Sequence, residues 1–270
     1  MAIKKVYIGV GHGGSDPGAV FGKFKEKDLA LEIAKYCDAY LKKYGVETKM
    51  SRRNDSEVWL EQRIAQANAW GADLAVDVHI NAGKGDGAEV YHTLYGGTGK
   101  KLATNILKEM KKIGQNSRGT KVKKNAKGED YFGFVRDINC PSVLCECAFI
   151  DSKDVEIIDT KAERKKMGEA IAKGILKTLG IKVKKPKVYG GEMPKLPAKG
   201  YLEYGDSGTE VRKWQKYLVW YGYKIDVDGS FGINTKRATI DFQTKMGFAK
   251  KWIDGLVGAK TIKEAKKIKK

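Results

Sequence analysis

Two periodicities take turns along the first two thirds of the chain, one near two residues and one near 3.6. Val6, Ile8 and Val10 mark a short strand, and the glycine-rich stretch Gly11–Ala19 follows it. His12 shares the parity of those three residues, which predicts a histidine at the strand end on a defined side. Leu29, Ile33, Tyr36, Cys37, Tyr40 and Leu41 recur at helical spacing and predict a helix over Glu26–Leu41, stopped by Gly45. Val46–Met50 is a second strand. A helix over about Glu57–Trp70 turns Leu60, Ile64 and Ala67 inward and stops at Gly71. Leu74–His79 is a buried strand ending in a histidine and a polar turn. Gly87–Tyr95 is a strand, Thr98–Ile113 a helix, Gly114–Asp130 a loop or short hairpin, Ser142–Phe149 a strand and Lys161–Leu179 a closing helix. Strands alternating with helices argue for an α/β unit over residues 1–181, with helices on both faces of a sheet. In such sheets chemistry sits at strand ends.

The pattern then changes. Residues 182–200 have no periodicity and hold three of the five prolines and six lysines, so they are expected to be an exposed linker. Residues 201–270 hold 11 of the 26 aromatic residues and an internal repeat, D-G-x-x-G-x-x-T at Asp228–Thr235 and again at Asp254–Thr261. Each copy reads as an Asp-Gly turn leading into a helix start. Helices over about Thr209–Tyr221, Thr235–Met246 and Thr261–Ile268 predict a small all-α three-helix module. Trp214, Tyr217, Trp220, Tyr221, Tyr223 and Trp252 either stack on a ligand's rings or form the core of this module.

Composition narrows the function classes. No apolar run approaches the roughly 18 residues of a membrane span. The apolar stretch after Lys4 and Lys5 is too short for a signal peptide, so cytoplasmic synthesis is expected. The net charge is +19. Residues 201–270 carry 15 basic and 8 acidic side chains, and the excess is spread over the whole chain. A polyanionic partner fits, either nucleic acid or the phosphate polymers of a bacterial wall; a generally lysine-rich surface fits as well. No nucleic-acid motif is present. Cys145 and Cys147 flank Glu146 on one strand and point away from it, which suits buried free thiols better than a metal clamp.

Two histidines and a carboxylate are a common ligand set for a catalytic zinc, with the fourth position left for water. His12, Glu26 and His79 are the candidates, and Glu146, at a third strand end, is the candidate general base. His92, inside a strand, is the spare. Without a metal, His12, His79 and Glu146 would simply end three buried strands. Glu26 lies on the apolar face of its helix at the first turn, where a carboxylate needs a cation, a metal or the helix N-terminus.

Residues 5–180 resemble the zinc-dependent N-acetylmuramoyl-L-alanine amidases of the type 3 branch. The matching segments are G-H-G-G-S-D-P-G-A (Gly11–Ala19), E-K-D-L-A-L (Glu26–Leu31), R-x-x-D (Arg52–Asp55) and L-x-x-R-x-x-x-A-N (Leu60–Asn68). A-D-L-x-V-x-V-H-I-N-A (Ala72–Ala82) and P-S-V-L-C-E-x-A-F-I (Pro141–Ile150) complete them, in family order. The resemblance implies a twisted mixed sheet, one zinc held by His12, Glu26 and His79, and Glu146 as the catalytic carboxylate. Asp77 stands where the family usually has Ser, and Asp151 and Ser152 where it tends to have Asn. Residues 201–270 resemble the peptidoglycan-binding domain 1 family through Gly205–Val211, Gln215, Asp228–Gly232, Phe242–Gln243 and Asp254–Gly258.

These resemblances imply a peptidoglycan hydrolase that cuts the amide between N-acetylmuramic acid and L-alanine. A phage or prophage endolysin is expected, made in the host cytoplasm and acting on the wall after release. A sporulation or autolytic amidase, and a wall-binding protein without catalysis, are the alternatives. The expected partners are peptidoglycan and anionic wall polymers, with neither nucleic acid nor membrane. Gly190-Gly-Glu192 ahead of Met193 is encodable by a purine-rich ribosome-binding sequence. Internal initiation at Met193, and a mixed oligomer with the free binding module, therefore enter as a further expectation.

Overall fold

The computed structural model describes residues 4–183 and 190–269; of the expected linker, residues 184–189 lie outside the described residues. The chain divides into two compact units, Met1–Val183 and Lys184–Lys270.

In the first unit the elements run β1 (Lys5–Val10), a hairpin of β2 (Val20–Phe21) and β3 (Phe24–Lys25), α1 (Glu26–Lys42), β4 (Glu47–Met50), α2 (Leu60–Trp70) and β5 (Leu74–Asn81). They continue with β6 (Ala88–His92), α3 (Gly97–Lys112), β7 (Ser117–Lys121), the single turn α4 (Gly133–Arg136), β8 (Ser142–Phe149) and α5 (Lys161–Thr178). Six strands form one mixed sheet in the order β4-β1-β5-β8-β6-β7. The first four are parallel, whereas β6 runs antiparallel to β8 and takes β7 along as its parallel neighbour.

One face of this sheet is a dry core. Val6, Ile8, Val10, Val76, Val78, Val143, Cys145 and Cys147 pack there against Leu29, Ile33, Leu102, Ile106, Ile171 and Ile175 of α1, α3 and α5. The thiols of Cys37, Cys145 and Cys147 are buried and free, as expected. On the opposite face α2 and α4 cover only one half, closing a smaller core of Tyr7, Ala67, Ala75, Phe134 and Ile138. The other half carries His79, Glu146 and the strands beyond them.

Several elements differ from expectation. The stretch Gly114–Asp130 supplies β7, an edge strand of the main sheet. Its sequence, SRGTK, has no apolar alternation because it pairs on one side only and is half exposed. Helix α2 begins at Leu60, three residues late, where the Gln62 side chain accepts from the Trp59 amide. β5 extends through Asn81, so Ile80 and Asn81 belong to the strand and not to a turn.

The second unit holds β9 (Tyr201–Leu202), α6 (Thr209–Tyr221), α7 (Ile233–Lys245), β10 (Val257–Gly258) and α8 (Ala259–Lys266). Both D-G repeats do the same job. The Gln215 side-chain amide donates to Asp228 Oδ1 (2.8 Å) and Ser230 O (2.9 Å) and accepts from Gly229 N (2.8 Å). Gln243 repeats this with Asp254 Oδ1 (2.9 Å), Leu256 O (2.9 Å) and Gly255 N (2.9 Å). Each buried glutamine thus replaces the missing backbone partners of an Asp-Gly turn. Trp214, Tyr217, Phe231 and Phe242 fill the core, and Met193, Leu196, Trp220, Tyr221 and Tyr223 pack against it. Of the six aromatics considered for stacking, Trp252 is the exposed one.

Candidate metal and catalytic centre

The site gathers at the ends of β1, β5 and β8 and at the start of α1. Glu26 opens α1 and is almost completely buried. Its Oε1 accepts from Ile80 N (3.0 Å) and its Oε2 from Ala19 N (3.0 Å), so both oxygens are fixed by backbone. His79 Nδ1 lies 3.0 Å from Oε1, and His12 Nε2 lies 3.1 Å from Oε2. One ligand atom from each of His12, Glu26 and His79 falls within 4.8 Å of the others.

The other nitrogen of each imidazole faces a second carboxylate. His12 Nδ1 is 2.7 Å from Asp16 Oδ2, and His79 Nε2 is 3.2 Å from Asp77 Oδ2. Asp77 is itself buried and gripped by Arg63, whose Nη1 donates to both oxygens at 2.9 and 2.8 Å. These contacts fix which nitrogen of each ring faces Glu26, as outer partners do around metal-bound histidines.

His12 reaches the site by a route that strand parity does not anticipate. The alternation stops at Val10, and His12 sits at φ 57°, in the left-handed region. The loop, not the strand, aims the ring. Arg52 holds that loop by donating to Gly11 O (2.9 Å) and Lys27 O (2.7 Å), and Asp55 accepts from Gly14 N (2.8 Å). A side chain at Gly11 would place Cβ 2.5 Å from the His79 ring, so that position must stay bare. Gly18, at φ 63°, is equally constrained: a Cβ there would come within 2.6 Å of both Glu26 and His12.

Glu146 stands opposite His79 in the β5–β8 register, while its neighbours Cys145 and Cys147 point into the core. Its Oε2 is buried without a hydrogen-bond partner among the described residues. Burial pushes its pKa up to about 7, with His79 opposing and Glu26, Glu89 and Asp77 adding to the rise.

The site is rich in carboxylates. Burial alone would lower the His79 pKa, yet Asp77, Glu26 and Glu146 drive it up to about 10. Burial likewise opposes ionisation of Glu26, but the two imidazoles hold its carboxyl far below the usual range. Asp16, Glu26, Asp77 and Glu146 converge on two histidines, with Arg63 as the fixed positive charge among them. Two imidazoles and a carboxylate on one side, with a free acid opposite, form a donor set suited to a divalent ion that keeps an open position.

The other sequence candidates fall elsewhere. His92 is buried at the far end of β6, its Nδ1 2.7 Å from Thr93 O, outside the cluster. Asp151 accepts from Gly83 N (2.8 Å) and Lys84 N (2.9 Å), and Ser152 donates to Gly85 O (2.6 Å), so this departure from the family pattern clamps the turn after β5. Asp16 escaped the sequence reading, although its i+4 spacing from His12 inside the loop was visible. Glu89, paired with Glu146 across β6 and β8, escaped it too, because the local pattern of the strand 87–95 does not tell which strand it pairs with.

Residues 6–177 match the family model described as N-acetylmuramoyl-L-alanine amidase, and residues 207–264 match that of a peptidoglycan binding domain. The endolysin of Bacillus phage SPP1 is 36% identical over 202 residues, which is 71% of this chain and 70% of that protein. The N-acetylmuramoyl-L-alanine amidase CwlM of Bacillus licheniformis is 30% identical over 80% of this chain and 85% of its own length. Among solved structures, the N-acetylmuramoyl-L-alanine amidase AmiC2 of Nostoc punctiforme superposes on 66% of this chain and 97% of its own. The TM-score is 0.60 and the identity 31%.

Proposed function

The chain belongs to the N-acetylmuramoyl-L-alanine amidase family and hydrolyses the amide joining N-acetylmuramic acid to the L-alanine of the peptidoglycan stem, and on that premise we propose the site and its chemistry. His12, Glu26 and His79 would hold a zinc ion. Bound there, zinc supplies the Lewis acidity that activates water and polarises the scissile carbonyl. Asp16 and Asp77 hold the two imidazoles in the tautomers this requires. Glu146 takes the proton from the attacking water and returns it to the leaving nitrogen of L-alanine. A carboxyl whose pKa lies near neutrality suits both halves of that exchange. The observation that carries the reading is the convergence of three ligand atoms within 4.8 Å, facing a buried acid with an unpaired oxygen.

The second unit binds peptidoglycan and keeps the first near its substrate through two-point attachment. The similarity to a phage endolysin supports a lytic enzyme that acts on the wall after release from the cell that made it. The packing of Met193 against the second unit's core is compatible with a shorter product starting there.

Digestion of purified peptidoglycan tests the activity. New N-terminal alanine without new reducing sugar is expected, and new reducing sugar would point to glycan cleavage. Chelation should abolish the release and zinc should restore it. Glu146→Gln should bind the wall yet release alanine termini far more slowly; full activity in that variant would exclude the mechanism.

A further inference from the structure

The open half of the sheet does not stop at Glu146. Glu89 on β6 stands directly opposite Glu146, and residues opposed across an antiparallel pair share a face. Glu89 is buried, with every oxygen used: Oε1 accepts from Arg118 Nε at 2.6 Å and Oε2 from the Tyr91 hydroxyl at 2.9 Å. Lys121 Nζ stands 3.9 Å from the same Oε1. The Arg118 guanidinium also lies over the Phe149 ring, 5.4 Å from its centroid. Arg118 is thus held at one nitrogen and on one face. Its two terminal nitrogens meet no hydrogen-bond acceptor among the described residues, and its side chain is 44% exposed.

This arrangement orients the arginine in advance of any ligand. A buried carboxylate in the cleft floor fixes an arginine whose free edge faces outward. Two bases, Arg118 and Lys121, face the Glu89 carboxylate, and Asp86 is a further acid within electrostatic reach of Arg118. A planar, pre-oriented guanidinium edge matches a carboxylate in bidentate fashion. Neighbouring strands lie about 4.8 Å apart, so Arg118 on β7 is about 10 Å across the sheet from Glu146 on β8. An extended chain covers about 3.3–3.6 Å per residue, so this is the reach of two to three residues beyond the scissile bond.

Resting on the amidase reading, we propose that Arg118, oriented by Glu89 and supported by Lys121, binds the free carboxylate of the acidic residue that follows L-alanine in the stem peptide. The β6–β7 half of the sheet is therefore the peptide side of the cleft. Arg118 is a binding residue and Glu89 a positioning residue.

The test compares two synthetic substrates with the zinc-loaded full chain. Both are N-acetylmuramoyl tripeptides, one with the α-carboxylate of its second residue free and one with it as the carboxamide. The wild type should favour the carboxylate about tenfold or more in kcat/KM, chiefly through KM, as expected for a charge-assisted hydrogen bond pair. Arg118→Gln should bring that ratio close to one. Because it leaves Glu89 without its partner, Glu89→Gln combined with Arg118→Gln serves as the fold-preserving version and should give the same ratio. A wild-type ratio near one, or an unchanged ratio in either variant, overturns the proposal. If the wild type cut neither tripeptide nor intact peptidoglycan, the amidase reading itself would fall.

Discussion

Replacing Asp77 with asparagine separates what holds the fold from what holds the metal. Asp77 is 1% exposed and forms a two-oxygen contact with Arg63, while touching His79 with one of those oxygens. Asp77→Asn keeps the shape but leaves the buried Arg63 charge of α2 without its counter-charge. Breaking a buried pair in this way costs about 3–5 kcal/mol. Arg63 retains slight solvent contact, which favours the lower end, about 3 kcal/mol. The imidazole also loses the carboxylate that sets its tautomer, for which a 10- to 100-fold loss of metal affinity is usual. Urea unfolding of the metal-free protein, followed through the first unit's transition, measures the first effect. Competition for zinc against a chromophoric chelator, far below the unfolding midpoint, measures the second. Adding Arg63→Met removes both charges and should recover most of the stability while leaving zinc binding weak. If zinc binds Asp77→Asn as tightly as wild type, the assignment of Asp77 to the histidine is wrong. If the metal-free single variant loses less than about 1 kcal/mol, the pair is not the buried bridge described.

Glu146 and the second unit offer further tests. The folded state raises the Glu146 pKa from 4.5 to about 7, so in the metal-free protein stability falls as pH rises across that window. Glu146→Gln should remove that slope and be more stable by roughly 3 kcal/mol at pH 8; equal pH slopes in urea melts of the two proteins refute this. In the loaded enzyme the same group must be ionised, so activity should rise with pH through a limb at or below 7, and Glu146→Gln should lose about 10²–10⁴ in kcat. In the second unit, Gln215→Ala strands the Gly229 amide and the Ser230 carbonyl, which should cost about 2–4 kcal/mol. Tryptophan fluorescence of the full chain should show that unit melting early, and an unshifted melt would mean water replaces the amide.

The parts of the fold that hydrophobic burial dictates were legible in the sequence. Val6–Val10, Ser142–Phe149 and Glu26–Leu41 lie where their apolar periods put them, because each buries a continuous face. β7 was not legible, since an edge strand gains its place from backbone pairing, and SRGTK carries no record of it. The site divides in the same way. His12, Glu26, His79 and Glu146 were named as candidates from residue type and from their positions at element ends, and the structure gathers them. The reason His12 points inward lies in a left-handed backbone and in the Arg52 clamp, neither of which a parity argument contains. Asp77 could be placed beside His79 by parity, but its grip by Arg63 depends on how α2 packs against the sheet.

The reversal at β6 has an evolutionary consequence. His79 and Glu146 lie on β5 and β8, which run in one direction, whereas Glu89 enters from the other, just after the connection 82–87. That connection is tied to the end of β8, through Asp151 at Gly83 and Lys84 and through Ser152 at Gly85, and β6 pairs in register with Glu146. In descendants of such a chain, changes in 82–87 would therefore be felt at Glu89 and Glu146 together.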